Sequence, residues 1–331
     1  YTSSNCTATS VTTADGVYTL DTATGRVTFD PAATFIGVAT VPIHYVVADA
    51  LGQYATSTIT PTVTAPAADV PGADVSAGVS GAAQSVDLLA NDTAPTGVTF
   101  DASSTRLCAD GETAPQCSAT AVDVPNVGSY TLVGSTVTFV PCTTTLTANC
   151  TSGVAFSGSA EPPLGYQVTD SLGRVVSSTY TPSVVGLPTA HPDAQTGAFD
   201  TNQTYTPASN DAPDPLTTMD PSTVRLCPTS ASAPYTSTNC SATSVTTADG
   251  TYTVDTATGA VLFDPSATFV GLATAPLNYV VADRAGQVVS STITPTVTAP
   301  PADAPVADVS AGVSGAAQSV DLLANDTAPT G

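Results

Sequence analysis

The feature that most constrains this chain is repetition. Displaced by 234 positions, Tyr1–Gly97 falls on Tyr235–Gly331 with 77 identities in 97 positions, and Ala73–Gly97 is identical to Ala307–Gly331. Such a chain builds its core module by module, because each copy carries the same apolar pattern and must bury it in the same way. A finer period lies inside. The tyrosines of HYVVADALGQ, GYQVTDSLGR and NYVVADRAGQ are Tyr45, Tyr166 and Tyr279, spaced 121 and 113 residues apart. Each is followed by an Asp (Asp49, Asp170, Asp283) and then a Gly (Gly52, Gly173, Gly286). Upstream stand Phe35, Phe156 and Phe269, each two before a Gly, and Phe29, Phe139 and Phe263, each two before a Pro. The expected division is therefore a C-terminal part of a repeat plus linker over 1–72, complete repeats over 73–186 and 187–300, and an N-terminal part of another over 301–331. On that reading the chain is a slice of a longer array.

Local pattern points to strands. The 27 Pro and 24 Gly are spread throughout, with β-branched residues between them, and no segment has helical periodicity. TYTVDTATGAVLFDP (251–265) reads as a hairpin, with the Gly of DTATG at a positive-φ position. YVVADRAGQVVSSTITPTV reads as a second, turning at ADRAG. About seven short strands per module, with turn signals every ~8–12 residues, predict an all-β chain of tandem immunoglobulin-like β-sandwiches arranged end to end. The joining segments TVTAPAADVPGADVSAG and TVTAPPADAPVADVSAG are rich in Pro and Ala, which predicts semi-rigid spacers and modules about 35–45 Å long stacked in line.

Charge and cysteine narrow the function. The formal charge is −22, from 27 acidic residues against five Arg and no Lys. Such a surface repels nucleic acid and anionic lipid, and no apolar run is long enough to span a bilayer. Without Lys, a Lys–Asn isopeptide staple is excluded, and disulfides are the alternative. Cys108/Cys117 and Cys227/Cys240 flank equivalent loops after STRL and STVRL. Four Cys in the second module permit three pairings. The third module has only its one pair, which favours Cys108–Cys117, Cys142–Cys150 and Cys227–Cys240. Cys6 matches Cys240, and its partner is expected outside the chain. Disulfides imply an oxidising, extracellular compartment. The rival metal reading lacks a C-x₂-C spacing, and His44 and His191 lie near no Cys.

In this order and spacing, VDLLANDTAP, STVRL, GTYTVDTATGAVLFDP and ATFVGLATAPLNYVVADRAGQ resemble the CshA-type fibril repeat of bacterial cell-surface adhesins. The resemblance runs over essentially the whole chain and is strongest over 240–300. It implies β-sandwich modules in a fibrillar stalk on the bacterial cell surface or cell wall. Such a stalk presents a binding region to host or partner cells, and the partners of each repeat are its neighbours in the chain or identical filaments.

Few groups suggest chemistry. There is no G-x-S-x-G, the only Glu are Glu112 and Glu161, and His44 is replaced by Gly165 and Asn278 in the other modules. No catalytic or cofactor-binding residue is expected. Candidate calcium ligands cluster near the junctions: Asp74, Asp87, Asn91 and Asp92, and again Asp308, Asp321, Asn325 and Asp326. The simpler reading of the Asn-Asp pair is a cap on the turn after VDLLA, with no metal. Repeats that bind a ligand themselves, or that accompany a secreted enzyme, are the alternative functions.

Overall fold

The computed structural model describes residues 1–328; Pro329–Gly331, the end of the expected 301–331 segment, lie outside the described residues. The first unit runs β1 Ser10–Thr12, β2 Gly16–Asp21, β3 Arg26–Pro31, β4 Gly37–Val38, β5 Ile43–Ala48, β6 Tyr54–Ile59 and β7 Thr62–Val63. The second runs β8 Asp74–Val79, β9 Gln84–Asp87, β10 Phe100–Leu107, β11 Ala121–Val124 and β12 Gly128–Val133. It continues through β13 Thr136–Pro141, β14 Gly158–Ser159, β15 Leu164–Asp170 and β16 Val175–Val185. The third repeats that plan: β17 Asp193–Gly197, β18 Gln203–Tyr205, β19 Met219–Leu226, β20 Ser244–Thr246 and β21 Gly250–Val254. Its remaining strands are β22 Val261–Pro265, β23 Gly271–Leu272, β24 Leu277–Asp283 and β25 Val288–Val297. Among the described residues the only helix is the 3₁₀ turn Pro207–Ser209.

The second and third units are sandwiches of the same topology. One sheet has the order β10-β15-β16-β14 with β8 beside β16, and it faces β11-β12-β13-β9. In the third unit β19-β24-β25, flanked by β17 and β23, faces β18-β22-β21-β20. Alternation explains the core. Along β15, Leu164, Tyr166 and Val168 point inward, and Gly165, Gln167 and Thr169 point out. Tyr130, Phe139, Tyr166 and Tyr180 fill the second core, and Tyr252, Phe263, Tyr279 and Ile293 the third. With no Trp in the chain, these rings carry much of the buried apolar area. The hairpin β21–β22 forms with Tyr252 opposite Phe263, and Gly259 takes φ +74° in its turn. Gly250 has no room for a side chain: a Cβ would run into the Phe263 ring and the Asp264 carbonyl.

One expectation is corrected. ADVSAG, read as linker, contains β8, which pairs in parallel with β16 from Asp74↔Tyr180 to Val79↔Val185. The strand that opens the module is therefore β8, inside the expected 73–186, and the joining segment is shorter than its Pro- and Ala-rich stretch suggested. The signal was weak because β8 is an edge strand held by main-chain bonds, with Val75 exposed. The 142–150 insertion of the second unit is a loop pinned at Asn126, whose side chain accepts the Thr151 and Ser152 N–H groups at 2.9 Å.

Candidate functional site

In a tandem array the places where modules meet decide what the chain can do, and three copies of one turn sit at that pole. Each is Asp-x-x-Gly followed by Gln or Arg, and Gly52, Gly173 and Gly286 take φ of +78°, +78° and +83°. The carboxylate holds the turn. Asp170 accepts the N–H groups of Leu172 (2.9 Å) and Arg174 (2.7 Å) and the Arg174 Nε–H (2.6 Å). Asp283 accepts from the Gln287 N–H at 2.8 Å and the Gln287 side-chain amide at 3.1 Å. Burial opposes the Asp170 charge, but the Arg174 and Leu172 donors outweigh it and hold the carboxyl below its usual range.

So oriented, the fifth side chain reaches back to the preceding segment. Arg174 Nη1 donates to the Ala67 carbonyl at 3.0 Å, and Nη2 lies 2.9 Å from the Asp69 carboxylate. Gln287 donates to the Gly186 carbonyl at 2.7 Å and accepts the Ser80 N–H at 3.3 Å. Gly186 passes between modules: a Cβ there would meet Asp214 at 2.6 Å and Ser157 at 2.9 Å. In the sequence this turn marks the period and does not show the clamp. The signal available was the recurring polar residue after its Gly.

The calcium candidates are split by the structure. Asp74 and Asp92 come together around Tyr166, whose hydroxyl donates to the Leu88 carbonyl at 2.9 Å and lies 3.4 Å from Asp92. Asp92 also accepts the Gly72 N–H at 2.6 Å. Asp87 caps its own turn through the Leu89 N–H, and the Asn91 amide donates to the Ala73 carbonyl, as the turn-capping reading expects. Asp326, Asp321 and Asn325 make the corresponding contacts with Val306, Leu323 and Ala307, and Asp308 is half-buried. Among the described residues, no group of three or more His, Cys, Asp or Glu is arranged to hold a metal ion.

Burial, a Tyr166 hydrogen bond and the Asp92 and Asp87 charges leave Asp74 at about 6, with burial dominant and only the hydrogen bond opposing. The third unit repeats this with residues missed in the sequence. Asp193, likewise at about 6 through burial and the Asp211 charge, faces Asp211 and Tyr279. Tyr279 Oη stands 3.3 Å from both Asp211 Oδ2 and the His191 carbonyl. The faint signal was Asn210-Asp211 echoing Asn91-Asp92. His191 donates its N–H to Asp211 at 2.8 Å, and His44 stacks on Tyr1 at 4.0 Å.

Disulfides join Cys108–Cys117, Cys142–Cys150 and Cys227–Cys240, and Cys6 is unpaired among the described residues. No helix of the described residues is long and apolar enough to cross a membrane.

No curated protein matches the sequence. Similar solved structures include a three-Ig structure of titin domains, 12% identical with TM-score 0.28, covering 68% of this chain and 62% of that one. The human desmocollin-1 ectodomain is 11% identical, with TM-score 0.30 and coverage of 86% and 49%. Cadherin domains of protocadherin gamma B2 are 10% identical, with TM-score 0.34 and coverage of 90% and 53%. The chain thus spans less than two-thirds of the length of each. The family described as "Surface adhesin CshA repetitive domain" matches residues 2–63 and 186–297, just over half of the sequence, and the match does not extend over 64–185. In the two matched stretches lie the hairpins β2–β3 and β21–β22 and the turns Asp49–Gln53 and Asp283–Gln287, and by that match the chain belongs to the CshA repetitive-domain family of surface adhesins.

Proposed function

We propose that this chain is a non-catalytic length of fibrillar stalk in a long bacterial surface adhesin, anchored at the cell wall, whose repeats carry a binding region away from the cell. The observation that carries the reading is the clamp at the junctions before the second and third units. Arg174 and Gln287 bond backbone of the segment before their own module, which resists bending there. Pro-rich linkers and a charge of −22 act in the same sense by stiffening the joints and opposing side-by-side packing. The three disulfides support an extracellular location. The partners of each repeat are its neighbours, and contact with host or partner cells is made by other domains. Small-angle scattering tests this. With strands rising about 3.3 Å per residue, three units in line give a maximum dimension on the order of 110–130 Å. A compact profile near the length of one module, insensitive to salt, would overturn the stalk.

A further inference from the structure

The second sandwich lacks a latch that the other two units share. In the third unit buried Asp249 accepts both the N–H and the Oγ1–H of Thr274 at 2.8 Å. In the first unit Asp15 does the same with Thr40, at 2.6 and 2.8 Å. The register identifies the matching positions. Gly16, Gly128 and Gly250 pair with Pro31, Pro141 and Pro265, so Val127 stands where Asp15 and Asp249 stand. The N–H groups of Ala39, Ala160 and Ala273 bond to the carbonyls of Pro61, Pro182 and Pro295, so Glu161 stands where the two Thr stand. A valine cannot accept a hydrogen bond, and Glu161 is exposed.

Val127 and Glu161 line a cleft of about 720 Å³ in the second sandwich, and the latched first unit has a smaller one, about 380 Å³, over the matching Val11, Tyr18 and Ile43. The floor of the larger cleft carries Tyr130 and Leu164, and its rim Pro125 and Pro163. Four carboxylates line it: Asp110, Glu112, Asp123 and Glu161. Both glutamates of the chain are therefore here, and none of its five arginines is. Glu112 is kept ionised by the Ala109 N–H at 2.9 Å and by Ser118, which hold it below its usual range.

We propose that this cleft is a docking site for a basic peptide segment of another protein, one placing Lys or Arg against the carboxylates and an apolar side chain on the Tyr130–Leu164 floor. Charge complementarity selects the occupant. This chain has no Lys, and Arg106, Arg174 and Arg225 are already bonded to its own carbonyls, which leaves only the isolated Arg26 and Arg284 and makes a second copy a poor donor. The site thus lies within a stalk module and is independent of any terminal binding region.

The test uses the whole chain and a short fluorescein-labelled peptide of alternating Lys and Leu, followed by anisotropy. Measured at physiological salt, surface attraction is screened beyond about 8 Å. Glu161→Gln and Asp123→Asn should each weaken binding several-fold and together by about tenfold. Asp264→Asn, on the third sandwich, should leave it unchanged. Val127→Asp with Glu161→Thr rebuilds the latch without changing net charge and should narrow the cleft and weaken binding by more than Glu161→Gln alone. Equal losses from Glu161→Gln and Asp264→Asn, or full binding by the latched variant, would reduce the effect to overall charge and overturn the site. If circular dichroism shows the latched variant unfolded, the single charge variants decide.

Discussion

Asp74 and Asp193 set how this molecule responds to acid. Each is held at about 6, above the usual carboxylate value, so folding favours the protonated form. Their contribution to stability is complete below about pH 4 and is lost as pH rises through 6. Asp21, Asp101, Asp220 and Asp255 are shifted down by turn hydrogen bonds and act the opposite way, but only below about pH 4. Calorimetry should therefore show the melting temperature rising from pH 7 to pH 5. Asp92 and Asp211, also raised by burial, act in the same sense, so Asp74→Asn with Asp193→Asn should reduce that rise without abolishing it and raise the pH 7 value by about 3–6 °C. An unchanged slope would mean that the pair does not titrate in this window. A second residue-scale outcome concerns Gly250. Adding a methyl there drives it into Phe263 and the Asp264 carbonyl, so Gly250→Ala should cost about 1–3 kcal/mol in denaturant unfolding of the third module.

At the scale of elements, the disulfide loops staple the end of β10 to Cys117 and the end of β19 to Cys240, where Leu107 and Leu226 bridge to Ala119 and Ala242. Replacing Cys227 and Cys240 together by Ala should cost about 2–3 kcal/mol, read as a lower unfolding midpoint that reductant no longer shifts for that module. Peptide mapping without reduction should return the three intramodule pairs. The hairpins were legible because turn chemistry and alternation agree over DTATG and its flanks. β8 was not, because a parallel edge strand takes its hydrogen bonds from β16, over a hundred residues away, and shows no apolar face of its own.

At the scale of the molecule, Arg174 and Gln287 join modules without belonging to either core. Arg174→Ala with Gln287→Ala should lower the melting temperature by several degrees, since it leaves the buried Asp69 and Asp170 carboxylates without their guanidinium and removes the buried Gln287 amide bonds, while the modules stay folded at room temperature. Scattering from that variant should nonetheless show a broader distance distribution, as joints lose their clamps. If the distribution is unchanged, the linkers alone set the geometry. High salt should weaken the Arg174–Asp69 joint more than the neutral Gln287 joint.

The repeated sequence by itself determined the sandwich class and the cysteine pairing, because each rests on local pattern copied at a fixed offset. Only tertiary structure decided which copies become buried strands. Tyr45 and Val47 are 41% and 56% exposed, yet their counterparts Tyr279 and Val281 are fully buried, since β17–β19 supply the third unit with a covering that the first lacks among the described residues. Ala73–Ala94 forms β8 and β9, while the identical Ala307–Ala328 forms no strand. A strand needs a partner to satisfy its backbone and a facing sheet to cover its side chains, and neither is encoded in the strand itself. The clamps, the Asp74–Asp92–Tyr166 cluster and the unlatched cleft belong to the same class: each joins residues from distant strands, so each exists only once the sheets have closed.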